Sequence, residues 1–213
     1  MKPTFLAILC LLATASAAQI DLSQLDGKIT ESEKKLFQLL GENGNSQLSI
    51  SQENDHLKIN VISDTMYVAS LCLCIDKKKT IVLHASAALG KVNYKSGGKG
   101  QWNSSDKFDW QMRESDMSAE TIKLRETHLK EFGWVANTLG MGSRREAEFI
   151  ISRSLLEGKD ISLAAGLMPK SDPENIIGIP AGTSGDCAAF TLVAGPPEPT
   201  YQFDPERWLK IRL

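Results

Sequence analysis

Apolar side chains fall at every second position over residues 56–62 (Leu57, Ile59, Val61), the period of a strand with one buried face. A shorter run at 48–50 has the same character. Residues 66–75 are apolar on both faces and read as a central strand. The turn Asp76-Lys77-Lys78-Lys79 then returns the chain as a strand over 80–85, and 89–95 continues the meander. Ser96 to Gly100 is a flexible turn, and Trp102 and residues 108–112 flank a polar loop that holds one more strand.

Two stretches carry a helical period instead. Thr30-Glu31-Ser32-Glu33 matches a capping box, and Leu36, Phe37, Leu39 and Leu40 follow as an apolar face up to Gly41, so a helix is expected over about 31–41. A second helix is expected over about 119–139. Ser118 or Asp116 would cap it, Ile122, Leu129, Phe132, Val135, Ala136 and Leu139 form its stripe, and Gly140 would end it.

The last third reads as β. Residues 148–156 and 161–167 suit a hairpin around 157–160, although 146–156 also fits a third helix. Short buried runs follow at 176–179 and 188–194, then a stiff Pro196-Pro197-Glu198-Pro199 segment. The apolar end (Phe203, Trp208, Leu209, Ile211) should fold back on the core. Strands adjacent in sequence and joined by short turns favour an α+β class: an antiparallel, meander-like sheet packed by the two helices.

Residues 1–18 change the setting. One positive charge (Lys2), an apolar stretch from Phe5 to about Ala13 and a small-residue end at Ser16-Ala17-Ala18 read as a secretory signal peptide. Removing them from 213 residues leaves 195, which suits a single globular domain over 19–213. The chain is expected to be exported, periplasmic or extracellular, with no transmembrane segment. The net charge is −2, or −3 once Lys2 is lost, and no clustered basic patch points to nucleic acid.

Four chemistries can be weighed. Cys72 and Cys74 alternate on a strand and so share a face, with His84 on the returning strand. If Asp76 pairs with Thr80, Cys72 faces His84, and the three could bind zinc or copper with Cys187 as a fourth ligand; a one-residue shift dissolves the cluster. The plainer reading is core cysteines, one able to bridge to Cys187 in an oxidising compartment. Ser184 lies in Gly182-Thr183-Ser184-Gly185, and with His84 and an aspartate such as Asp106 or Asp109 it repeats the His–Asp–Ser order of a serine hydrolase; a plain turn accounts for it equally. The glycine-rich loops at 96–100 and 140–143 match no phosphate-binding pattern. Trp102, Trp110, Trp134 and Tyr94 could line a sugar platform or fill the core. Asn103-Ser104-Ser105 is an N-glycosylation acceptor in a eukaryotic host.

No pattern here specifies catalysis. The leading expectation is therefore a non-enzymatic exported domain that binds a protein or small-molecule partner and needs no cofactor. A Ser184/His84 hydrolase and a Cys72/Cys74/His84 thiol or metal protein stand as alternatives.

Overall fold

A computed structural model describes residues 20–64, 66, 68–86, 88–105, 117–137, 145–157, 160–169, 171–187 and 200–211, with 109–112 as backbone alone. The signal segment, the run at 188–194, the proline segment 196–199, the 140–143 loop and Asp106 lie outside the described residues.

The fold is mostly antiparallel β, two sheets forming a half-barrel with one substantial helix, and so corrects the two-helix α+β expectation. Strands β1 (Gln38–Asn43), β2 (Ser46–Glu53) and β3 (His56–Ile62) form a meander. Strand β3 then pairs with β10 (Glu146–Ser152), and β10 with β9 (Trp134–Ala136), giving a five-stranded sheet in the order β1-β2-β3-β10-β9. The larger sheet is centred on β4 (Val68–Ile75), β5 (Lys79–Ala85) and β6 (Leu89–Gly98). Strand β7 (Gln101–Ser104) and β8 (Asp109–Met112) share the far edge of β6, and β13 (Thr200–Gln202) pairs with β7. On the other side β11 (Ile161–Met168) pairs with β4, and its free edge is shared by β12 (Ile177–Ile179) and β14 (Leu209–Ile211).

The first expected helix is the largest departure. Its capping box forms: Thr30 N–H donates to Glu33 Oε2 at 2.7 Å, and Glu33 N–H donates to Thr30 Oγ1 at 3.3 Å. Yet the helix, α1, stops after one turn at Glu31–Lys34, and residues 38–43 become β1 on the open edge of β2. A single turn gains few hydrogen bonds for the residues it orders, whereas β2 offers a preformed row of partners. The apolar pattern misled because Leu36 and Leu39 are not core residues; they are 71% and 52% exposed.

Helix α2 (Ala119–Phe132) starts where expected, with Ser118 Oγ accepting from Thr121 N–H at 3.2 Å. It ends early at Gly133, which adopts φ +75° and donates its N–H to Leu129 O at 2.9 Å. A mid-helix glycine costs about 1 kcal/mol relative to alanine, and this one serves as the stop instead. The apolar residues beyond it, Trp134–Ala136, pair with β10. Residues 146–152 are strand, and the expected 148–156/161–167 hairpin does not form, because β10 and β11 belong to different sheets. A 3-10 turn at Arg153–Leu156 carries the chain between them.

Alternation sets the layers. Leu48, Ile50, Leu57, Ile59, Val61, Ala147, Phe149 and Ile151 line the inner face of the smaller sheet, against Leu71, Leu73, Ile81, Leu83, Leu163 and Ala165 of the larger. The opposite face of the larger sheet is also buried. There Cys72, Val82, Tyr94 and Trp102 meet Cys187, Phe203 and Trp208 of the last segment, so the apolar end does fold back. Phe203 packs edge-on to Tyr94 with ring centres 5.2 Å apart, and its carbonyl accepts from Trp102 Nε1 at 3.1 Å. A Cys72–Cys187 disulfide, spanning 115 residues, ties this layer to β4.

Closing so long a loop limits the unfolded chain, an effect of roughly 2–5 kcal/mol. The Cys72→Ala/Cys187→Ala double variant is expected to melt about 5–15 °C lower, a shift read by circular dichroism. An unchanged midpoint would place the anchoring in the aromatic contacts alone.

Candidate functional site

The structure separates the residues that the sequence grouped. Ile75 pairs with Lys79, leaving Asp76, Lys77 and Lys78 in the turn. Cys72 and Cys74 do share a face with His84, but the register sets Cys72 opposite Val82 and Cys74 opposite Thr80. His84 faces Ser70, with Nδ1 2.9 Å from Ser70 Oγ. The Cys72 sulfur is held by Cys187, and a disulfide sulfur is not a thiolate ligand. Cys74 is a buried free thiol whose pKa burial pushes up. Among the described residues no group of three or more His, Cys, Asp or Glu is placed to hold a metal ion.

Ser184 is exposed in the turn after β12, with its backbone nitrogen against Gly178. Gly178, Gly166, Ser70 and His84 form one lateral row across β12, β11, β4 and β5. Three strand spacings put Gly178 about 14 Å from His84 along the sheet. His84 is thus brought to Ser70, and Ser184 lies beside the Asp186 turn. The buried Asp186 carboxylate accepts from Trp208 Nε1 at 2.8 Å; burial pushes its pKa up. Trp102, Trp134 and Tyr94 are buried in the core and offer no sugar platform, and Lys77 of the lysine turn pairs with Glu206 at 2.7 Å. His128 is packed against Phe132 and Trp134, and burial first, then Lys91, pulls its pKa down to about 4.

A cleft that the sequence did not reveal lies on the outer face of the smaller sheet. Its floor is the cross-strand row Ser51–Lys58–Ile150 on β2, β3 and β10. One wall is the strap of residues 20–30 (Asp21, Gln24, Leu25), and the other is α1 and its exit (Glu33, Leu36, Phe37). Its volume is about 320 Å³.

The strap stays down because of β10. Ala147, Phe149 and Ile151 point into the core, so Glu146 and Glu148 point out. Glu148 Oε2 accepts from Gly27 N–H at 3.1 Å, and Glu146 Oε2 accepts from Ile29 N–H. The two acceptors are two residues apart in β10, as are the two donors in the strap. Leu22, Leu25 and Ile29 bury their side chains, and the buried Arg125 of α2 donates to Leu25 O at 3.0 Å.

Glu148 is the electrostatically unusual group. Burial, followed by the nearby Glu33 and Asp26 carboxylates, pushes its pKa up to about 7 against the Gly27 and Asn137 hydrogen bonds. Asn60 lies directly across from it, buried, with Oδ1 unpartnered among the described residues. Around Glu148 the cleft holds Asp21, Glu33 and Glu53 and one base, Lys58, which is paired with Glu53 at 2.6 Å. A wider depression of about 420 Å³ lies between Lys99, the Gly182–Gly185 turn and Arg207. It is more open, and its Arg207 and Asp186 are already engaged by Gly182 O and Trp208, so the outer cleft is the better-formed site.

Compared with known proteins, the chain matches no family model, no curated protein and no solved structure.

Glu148 binds its proton more tightly folded than unfolded, so its contribution to stability is complete below about pH 4.5 and is lost as pH rises through about 7. Glu148→Gln keeps an acceptor for Gly27 without the charge. Its melting temperature relative to the parent is expected to rise from pH 5 to pH 8; an equal difference at both would contradict a buried acid.

Proposed function

We propose that this chain is an exported, non-enzymatic binding domain that holds a small ligand in the outer-face cleft. The observation that carries the reading is the cleft itself: apolar side chains (Leu25, Leu36, Phe37, Ile150) converge with a half-buried carboxyl of raised pKa, the usual combination in ligand sites. Its volume lies at the low end of the range for small-molecule sites, about 300–1,000 Å³, so it suits a compact ligand. Export is supported by the leader-like first eighteen residues together with the disulfide, a bond that persists in oxidising compartments. No described helix is long and apolar enough to cross a membrane. Against the Ser184/His84 alternative stands the position of His84, buried with Nδ1 engaged by Ser70.

A fragment library screened at millimolar concentration by amide chemical shifts tests this. Hits are expected to move the amides of Ser51, Lys58 and Ile150. Ser51→Trp, which fills the floor, should abolish those hits while changing stability by no more than about 0.5 kcal/mol, as surface substitutions do. Absence of hits at the cleft, or hits that survive Ser51→Trp in a folded variant, would overturn the reading.

A further inference from the structure

We infer that the cleft selects an apolar chain ending in a protonated amine. This rests on the reading of the cleft as a ligand site and names the ligand class for it. Three elements each bring a carboxyl group to the same small space: Asp21 on the strap, Glu33 on α1 and Glu148 on β10. The fourth, Glu53, is already matched by Lys58 at 2.6 Å, the one base in the lining. Hydrogen bonds hold the carboxylates in place without cancelling their charge. Asp21 accepts from Ser23 N–H at 2.9 Å, Glu33 from Thr30 N–H at 2.7 Å, and Glu148 from Gly27 N–H at 3.1 Å. The donors, backbone amides, hydroxyls and the Asn137 side-chain amide, are all neutral, so the site keeps an excess of negative charge.

The rest of the lining is uncharged, with Gln24, Ser51 and Gln52 beside the apolar side chains. Leu25 and Ile150 lie in the interior, Phe37 is half-buried and Leu36 stands exposed, a hydrocarbon path with no charge of its own. An anionic ligand would meet Asp21, Glu33 and Glu148 with only Lys58 to offset them. A neutral one would leave those carboxylates partly desolvated and unmatched. An ammonium group places hydrogen-bond donors and positive charge among them, while its chain packs against the accessible faces of Leu36 and Phe37.

Octylammonium, octanol and octanoate, identical in chain length, separate these cases when titrated into the labelled full-length domain at pH 8. The charged groups acting on Glu148 are Glu33 and Asp26, with Glu146 two residues along β10 and Asp21, Glu53 and Lys58 lining the same cleft, and at this pH Glu148 itself is ionised. Octylammonium is expected to shift the amides of Leu25, Lys58 and Ile150, with affinity about tenfold above octanoate, the scale of one charge-assisted hydrogen bond. Glu148→Gln should shrink that preference to within about threefold. Should it fail to fold, Asp21→Asn, exposed and still able to accept from Ser23, should shrink it in part. Octanoate or octanol binding the cleft as tightly as octylammonium would overturn the amine inference and leave the ligand site standing. If none of the three moves the cleft amides, both fail.

Discussion

Two carboxylates on one strand hold the amino-terminal strap, and the cleft exists because they do. A segment laid across the outside of a sheet without joining it has no strand to pair with, and its amide hydrogens need acceptors. Glu146 and Glu148 supply them to Ile29 and Gly27. The same alternation that sends Ala147, Phe149 and Ile151 into the core sends these two outward, so β10 serves the core and the strap at once. Held in this way, with Leu25 pinned by Arg125, the strap stands beside α1 and leaves the Ser51–Lys58–Ile150 row as an open floor.

The larger sheet uses alternation differently. Both of its faces are buried, one against the smaller sheet and one under the returning carboxy-terminal segment. Residues with reactive side chains therefore sit in packing roles: Cys72 in a disulfide, Cys74 buried between Thr80 and Ser162, His84 against Ser70. On the outer face of the smaller sheet, by contrast, titratable groups border a cavity.

Much of the strand content was legible. Strand β3 matches its expected span, the Asp76–Lys78 turn and the β4-β5-β6 meander form, and both helix starts follow their capping residues. Helix ends were not legible. Leu36 and Leu39 mimic a buried face while remaining exposed, and Gly133 ends α2 inside an apolar stripe that keeps helical spacing past it. The metal and hydrolase groupings depended on register. The turn has the three residues considered, but it closes on Ile75–Lys79, and that moves His84 from Cys72 to Ser70. The cleft could not be read at all, because its clamp joins Gly27 to Glu148 across 121 residues. The Glu146/Glu148 alternation was visible, but nothing local marks what those carboxylates would meet.

The most direct measurement is a carbon-detected NMR titration of the Glu148 carboxyl in the folded protein, with the Gly27 amide followed in parallel. A midpoint near pH 7, with the Gly27 resonance moving at the same pH, is the result expected of a buried acid clamping the strap beside a ligand cleft. A midpoint near 4.5, with Gly27 indifferent to it, would mean that the carboxyl is solvated, the strap is not held by it and the cleft lacks the group that gives it character.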